Sequence, residues 1–368
     1  MRRERFAQLV RERLALERGR IDKQAPLRVA LCCPSTYRVG MSSLGLLQIY
    51  KTIQAQPGMA CERFFLPDDA GMALLEHGPW SYDGLSPLGD FPIVALSVAY
   101  ELEIAGLVQL LEGGGIPALR QQRDDGHPLI IAGGPLTFSN PLPLAPFVDA
   151  VVMGEADALA VEVLGMVGDA DSRDQALAAL AQVPHLWVPA HHGDQLPPLA
   201  QCADELLPAM APIQTPATEL SDMLLVEAVR GCSRGCAYCV MRRTTNSGMR
   251  VVDASRLLDL IPGDAKRVGL VGAGVSDHPG ILTIVRTLAA RGAQVGLSSL
   301  RPERLNDDLV AALREAGYRT LTTAMDGASE RLRQTLDRHT QVDQLIRAAE
   351  LARHHRLKRL KLYLMLGV

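Results

Sequence analysis

Arg230-Gly231-Cys232-Ser233-Arg234-Gly235-Cys236-Ala237-Tyr238-Cys239 sets three cysteines at C-x3-C-x2-C spacing directly after the apolar run Leu224-Leu225-Val226-Glu227-Ala228-Val229. The pair of stretches reads as a strand feeding a cysteine loop. Three thiolates on one short loop can converge on a single metal centre, and soft sulfur ligands select iron–sulfur clusters or zinc. Ligand number separates the two. A cubane cluster held by three cysteines leaves one iron open to a small molecule, whereas structural zinc is closed by four ligands. A zinc knuckle would have to borrow Cys202, His191 or His192, so on these residues alone both centres remain open. A disulfide within the loop fits poorly with a chain whose cysteine usage looks intracellular.

At these residues the chain resembles the radical S-adenosylmethionine (radical SAM) superfamily, whose signature is this spacing with an aromatic residue just before the third cysteine, here Tyr238. The resemblance implies that Cys232, Cys236 and Cys239 ligate a 4Fe-4S cluster. It implies that the open iron chelates the amino and carboxylate groups of S-adenosylmethionine, with Tyr238 near the adenine.

The rest of the chain is compatible with a soluble enzyme. Its 368 residues predict about two domains, and 48% hydrophobic content suffices for packed cores. A formal net charge of -3 gives no broad basic surface of the kind nucleic-acid binding needs, although RNA stays open as a substrate. Seven cysteines are an odd number, and Cys32-Cys33, Cys61 and Cys202 sit in apolar or helical settings that suit buried reduced thiols. No stretch approaches the roughly 18 to 20 apolar residues of a membrane span, and the Arg-rich start lacks an apolar signal core. The expectation is a cytoplasmic protein without a membrane partner.

Residues 1-26 open with an amphipathic helix to about Arg20, in which Phe6, Leu9, Val10, Leu14 and Leu16 form the apolar side. Residues 27-182 read as an α/β domain with a Rossmann-like (flavodoxin-like) parallel sheet. Strands are expected at Leu27 to Cys33, Phe91 to Val98, Pro128 to Gly134 and Ala150 to Gly154. Helices are expected at Leu46 to Ile53, Glu101 to Glu112 and Ala156 to Val167. Gly40 and Ser42-Ser43 stand where a helix begins and could cradle an anion. Gly133, Gly134 and Gly154 stand at strand ends, where such sheets bind ligands.

This half resembles the cobalamin-binding domain that precedes many radical SAM domains, over roughly residues 27 to 168. The likeness lies in Pro34-Ser35-Thr36-Tyr37-Arg38-Val39-Gly40-Met41-Ser42, in Ser97-Val98-Ala99-Tyr100-Glu101, and in Ala132-Gly133-Gly134-Pro135 with Asn140-Pro141-Leu142-Pro143. Domains of this kind that supply a lower axial ligand carry an Asp-x-His-x-x-Gly loop, and here Ser35, Tyr37 and Gly40 occupy those positions. The resemblance therefore implies a cobalamin whose lower face lacks a histidine, with Tyr37 or Arg38 nearby and Gly40, Ser42, Ser97, Gly133 and Gly134 along the cofactor. The alternative is a domain that has kept the fold and lost the cofactor.

Residues 183-221 carry Pro184, Pro189, Pro197, Pro198, Pro208, Pro212 and Pro216 and read as an interdomain linker, with His191-His192 as loop residues. Residues 222-368 return to strand–helix alternation and read as a partial (β/α) TIM-like barrel. Its strands are expected at Leu224 to Val229, Arg267 to Gly272, Val295 to Leu300, Arg319 to Met325 and Leu360 to Leu366. Its helices are expected at Ile281 to Ala290, Asp307 to Ala316 and Val342 to His355. Barrel sites lie on loops at the carboxyl ends of strands. Those loops hold Gly272 to His278, Ser298-Ser299-Leu300-Arg301 and Asp326 to Arg331.

The superfamily resemblance assigns Gly272 and Gly274 to the amino group of S-adenosylmethionine, and Ser298, Arg301 and Asp326 to its carboxylate and ribose. The usual Gly-Gly-Glu form is absent. The same residues also read as a tight turn, a buried hydroxyl and helix caps. Superfamily barrels commonly have six strands, so a chain stopping inside the fifth is expected to be a partial sequence or to lack a capping region.

The function implied by the resemblance is reductive cleavage of S-adenosylmethionine, with an electron donor such as flavodoxin or ferredoxin. With cobalamin present, methyl transfer to a substrate carbon is implied. Another radical reaction on RNA or a metabolite goes with a vestigial first domain, and a non-enzymatic iron–sulfur sensor is the reading from a different class. Methylthio transfer fits less well, since the first domain has no second cysteine triad. The substrate, whether small molecule, peptide or RNA, is not encoded in any motif.

Overall fold

The computed structural model describes residues 2–68, 78–241, 248–298 and 300–367. Ser299 of the quoted third-strand loop therefore lies outside the described residues. The chain divides into two compact units, Met1–Leu206 with Ala211–Asp222, and Leu207–Met210 with Met223–Val368.

The first unit is built on a six-stranded sheet: β1 (Leu27–Thr36), β2 (Met59–Leu66), β3 (Ile93–Ser97), β4 (Leu129–Gly133), β5 (Ala150–Val152) and β6 (Leu186–Trp187), in the order β2-β1-β3-β4-β5-β6. The first five run parallel and β6 is antiparallel to β5. Runs such as Val29 to Cys33 and Leu129 to Ala132 are buried throughout, as a sheet covered on both faces requires. The 2-1-3-4-5 order is the flavodoxin-like one, whose chain direction reverses between β1 and β3. The crevice for a ligand in such a sheet opens at the carboxyl ends of those two strands. Helices at Leu44–Gln54, Glu103–Gly113, Leu159–Gly168 and Arg173–Leu180 accompany the strands.

Strand β2 has no counterpart in the sequence reading, because Glu62 and Arg63 interrupt its apolar pattern. Arg63 is fully buried nonetheless, its guanidinium meeting Glu17 at 2.9 Å and Asp83 at 2.7 Å. Buried charge of this kind is tolerated only when paired and hydrogen-bonded. The amino-terminal helix spans Arg2–Leu14, shorter than expected, and buries Phe6, Ala7 and Val10. Phe6 meets Trp80 and Tyr82, so residues 1-26 form part of the first unit and not a separate element.

The proline-rich stretch also differs from the expected linker. Trp187 of β6 is completely buried in the sheet's core and donates its indole N–H to Gly193 O at 2.8 Å. Gly154 bridges Ala200. Gln214 bridges Arg18. The prolines end elements there without freeing the chain from the fold.

The second unit holds β7 (Leu224–Glu227), β10 (Arg267–Val271) and β11 (Gln294–Leu297) as a parallel sheet in the order β11-β10-β7. A parallel pair, β12 (Thr320–Asp326) and β13 (Arg359–Leu364), is joined to this series by a parallel bridge between Leu300 and Thr323. Helices at Ile281–Ala290, Asp307–Glu315 and Val342–His354 connect these strands, so the strand–helix alternation is that of an open part of a (β/α) barrel. The expected first strand, Leu224 to Val229, is broken after Glu227. Residues Val229–Arg230 form β8 and pair antiparallel with β9 (Arg250–Val251). No helix among the described residues is long and apolar enough to cross a membrane.

Candidate functional site

Strand β7 delivers the cysteine loop through a charged joint. Glu227 is buried and takes Arg230 at 2.7 and 2.8 Å and the Ala209 N–H at 3.0 Å. Gly231 follows with φ of +83°, a backbone state that L side chains rarely adopt. Cys236 is buried, while Cys232 and Cys239 are partly exposed. Ala237 N donates to Leu336 O at 2.9 Å and Cys239 N to Cys236 O at 3.1 Å, which fixes the loop's second half.

Burial pushes the Cys239 thiol up, and the neighbouring Cys236 and Cys232 push it further. Among the described residues, the groups with three ligand atoms all within 4.8 Å of one another are Asp307–His354–His355 and Glu155–Asp157–Cys202, and the three loop cysteines are not one of them. Zinc at about 2.3 Å from each sulfur would hold the sulfurs within roughly 4 Å. The loop does not hold its three sulfurs at that spacing, and three soft thiolates are a donor set that suits a cubane with one open iron. His192, one of the residues a zinc site would borrow, is engaged by Val188 N at 3.0 Å and by Ala181 O at 3.2 Å.

The loops after β10, β11 and β12 meet this cysteine loop. After β10, Asp277 accepts from Ser233 Oγ at 3.0 Å, from Arg304 Nε at 2.8 Å, and pairs with Arg301 Nη1 at 2.9 Å. After β11, Arg301 is almost fully buried and its Nη2 donates to Cys232 Sγ at 2.9 Å. After β12, Asp326 accepts from the Tyr238 hydroxyl at 2.7 Å and pairs with Arg338 Nε at 2.9 Å. Burial first, and then the bond to Asp326, raise the Tyr238 phenol above its ordinary value. Asp326 itself has φ of +62°, a conformation uncommon for an aspartate in which its carboxylate meets that loop.

The structure brings Cys232, Cys236, Cys239, Tyr238, Arg301 and Asp326 into one network. Gly274 adjoins it, since a Cβ there would lie 3.5 Å from Asp277 Oδ2 and 3.8 Å from Arg301 Nη2. Gly272 has a packing reason of its own: at φ of +154° its Cβ would fall 2.4 Å from Val229 Cγ2. Ser298 is exposed and donates to Gly272 O at 3.3 Å. His278, from the same loop, is buried, accepting the Gly280 N–H at 2.9 Å and facing Val252 O at 2.7 Å. It holds the turn. Sequence reasoning missed Asp277 and Arg338. Asp277 stood unremarked in a loop already singled out, and Arg338 follows a short helix with no motif to mark it.

In the first unit, the carboxyl ends of β1 and β3 are joined through Glu103. This buried carboxylate accepts from Ser35 Oγ at 3.0 Å and from Ala99 N at 2.6 Å. Ser97 pairs in register with Gly133. Gly133 is roomy, its nearest neighbour to a Cβ being 3.7 Å away, whereas a Cβ on Gly134 would meet Val98 O at 2.7 Å.

Tyr37 departs from its expected place beside a cofactor. It is buried, its hydroxyl donates to Glu17 at 2.7 Å, and its ring stacks on Tyr82. Arg38 pairs with Glu219 at 2.8 Å. Gly40 packs under Phe65, where a Cβ would sit 2.4 Å from the ring. Ser42 Oγ donates to Arg38 O at 3.0 Å, and Ser43 caps the following helix through Leu46 N at 3.3 Å. The helix start expected to cradle an anion is therefore already capped by the chain. Exposed apolar groups remain beside this edge, at Val39, Tyr100 and Leu102, the last 80% exposed.

Residues 226–368 match the model of the radical SAM superfamily, and residues 45–189 match that of the N-terminal region of radical SAM proteins. An uncharacterized protein of Methanocaldococcus jannaschii is 22% identical over 353 residues, covering 92% of this chain and 69% of its own length. Among solved structures, the chain is similar to the radical S-adenosylmethionine methyltransferase TsrM from Kitasatospora setae, solved with cobalamin and a 4Fe-4S cluster bound. The TM-score is 0.62 at 12% identity, over 94% of this chain and 70% of that one. It is also similar to the cobalamin-dependent S-adenosylmethionine radical enzyme OxsB, with aqua-cobalamin and S-adenosylmethionine bound, at TM-score 0.58 and 13% identity over 94% of this chain and 50% of that one.

Proposed function

Because this chain is a radical SAM enzyme, we propose that it cleaves S-adenosylmethionine reductively at a 4Fe-4S cluster held by Cys232, Cys236 and Cys239, and that its outcome is cobalamin-dependent methyl transfer. The observation that carries the first part is the meeting of three strand-end loops on the loop of the three cysteines. A cluster with three protein ligands supplies an electron and one iron open to the cofactor's amino and carboxylate groups. The chain's own groups seat it: Arg301 on Cys232, and Tyr238 and Arg338 on Asp326. Tyr238 offers its ring as the apolar wall for an adenine. Gly274 lies beside the Asp277–Arg301 pair, where a Cβ would crowd Met249 Sδ at 3.3 Å.

The methyl-transfer part rests on the flavodoxin-like strand order and on the exposed Val39, Tyr100 and Leu102 at its carboxyl edge. Such an edge suits the flat, largely apolar face of a corrin. Bound there, cobalamin would supply a cobalt able to carry and release a methyl group. The Asp-x-His pair is replaced by Ser35 and Tyr37, and the Tyr37 hydroxyl is turned to Glu17, so neither residue offers a nitrogen to cobalt.

Anaerobically reconstituted protein incubated with hydroxocobalamin is expected to retain it through gel filtration, and the reduced complex to lack axial-nitrogen splitting in its paramagnetic spectrum. Addition of S-adenosylmethionine and reductant is expected to yield S-adenosylhomocysteine or 5′-deoxyadenosine. Cluster loading without cobalamin retention would retire methyl transfer in favour of another radical reaction on RNA or a metabolite. A small protein electron donor of the flavodoxin or ferredoxin kind completes the reading.

A further inference from the structure

Arg301 is the most constrained cation at the cysteine loop. One terminal nitrogen pairs with Asp277 at 2.9 Å and the other donates to Cys232 Sγ at 2.9 Å. The side chain of Asp277 is itself only 2% exposed and is held by two further donors, Ser233 Oγ and Arg304 Nε. The guanidinium is planar and its fork is rigid, so pinning one nitrogen fixes where the other points. Arg338 forms a second fork across the loop. Its Nε pairs with Asp326 at 2.9 Å and another of its N–H groups reaches Ala324 O at 3.1 Å.

We propose that Arg301, clamped by Asp277, is a positioning residue of the cluster, keeping a charged N–H donor on the Cys232 sulfur so that the reduced cluster is stabilised. This differs from the role of cofactor-carboxylate ligand that resemblance assigns to Arg301, because its Nη2 already donates to the Cys232 sulfur. The physical reason is charge. A cubane with three thiolates gains one negative charge on reduction, and hydrogen bonds to the sulfurs are among the terms that set its potential. A donor locked in place favours the more negative state and costs no reorganisation when the electron arrives.

The inference rests on the cluster reading, and the test separates the two. Iron and sulfide content, the midpoint potential from a redox titration followed by paramagnetic resonance, and S-adenosylmethionine affinity are measured on reconstituted wild-type, Arg301→Gln and Arg301→Lys proteins. The expected result is full loading with a midpoint lowered in Arg301→Gln by at least a tenfold loss of reduced fraction at fixed potential, about 59 mV for one electron. Arg301→Lys, which keeps the charge but not the fork, should fall between. Loss of iron from Arg301→Gln that Arg301→Lys restores supports the same role.

A wild-type midpoint in Arg301→Gln overturns the proposal, and so does weakened S-adenosylmethionine binding at an unchanged midpoint. Equal loss of iron from Arg301→Gln and Arg301→Lys also overturns it, as a merely structural arginine would behave that way. Wild-type protein that takes up no cluster overturns the cluster reading itself.

Discussion

At the scale of single residues, environment sorts the seven cysteines into two populations. Burial, and then the nearby Glu103, push the Cys33 thiol up to about 12. Burial likewise raises Cys32 and Cys61. A raised thiol pKa means a protonated, unreactive sulfur at pH 8. Access separates the two sets: brief alkylation of cluster-free protein at pH 8 should modify the partly exposed Cys232 and Cys239 before the buried Cys32, Cys33 and Cys61, as mass spectrometry of the peptides would read. The sign of the pH effect follows from the same shift. The unfolded chain releases the Cys33 proton near the ordinary value of 9.0 while the folded chain keeps it to about 12, so stability should fall as pH climbs through that window. A Cys33→Ala variant should lose less stability over it. Tyr238→Phe is a second residue-scale prediction: removing the hydroxyl on Asp326 leaves a charged acceptor with one donor fewer. Cofactor affinity should fall by about tenfold, from roughly 1.5 kcal/mol for a charge-assisted hydrogen bond, with iron content unchanged. Equal affinity in the two proteins would show that the ring alone matters.

At the scale of elements, legibility followed periodicity. The helix at Ile281–Ala290 has the bounds its apolar spacing predicts, and β10 and β12 fall within a residue of expectation. Strand β2 was illegible because Arg63 reads as a surface residue until Glu17 and Asp83, distant in sequence, are seen to neutralise it. The glycines at the end of β4 were legible as a pair but not in their division of labour. Gly134 has φ of +105° with Val98 O 2.7 Å from a would-be Cβ, whereas Gly133 has nothing nearer than 3.7 Å. Gly134→Ala should destabilise by more than the roughly 1 kcal/mol of an ordinary glycine replacement at positive φ, which lowers the thermal midpoint by several degrees. Gly133→Ala should leave the midpoint unchanged. If cobalamin lies along that strand end, Gly133→Ala should nonetheless weaken its retention, so measuring both quantities on both variants separates packing from ligand contact.

At the scale of the whole molecule, the sequence showed two α/β parts and a strand feeding the cysteine loop, but not how the proline-rich stretch is shared. Composition reports that no long element can form there, whereas edge pairing is decided by strands far away in sequence. Leu207–Met210 belongs to the second unit and Ala211–Asp222 to the first. Met210 bridges Val226 on the free side of β7, Glu227 N donates to Ala209 O at 2.9 Å, and Ala209 N donates to the buried Glu227 carboxylate at 3.0 Å. Glu227 also anchors Arg230 at the mouth of the cysteine loop, so these four residues support the strand that presents the cluster ligands. A fragment beginning at Leu207 should resist urea better than one beginning at Met223. The charge-assisted bond contributes on the order of 1.5 to 3 kcal/mol, and with a urea slope of about 1 to 3 kcal/mol per molar the midpoints should differ by roughly 0.5 to 3 M. The shorter fragment should also reconstitute with less iron, because its Glu227 loses one of the donors that hold it beside Arg230. Coincident unfolding curves with equal iron content would show that the four residues accompany β7 without supporting it.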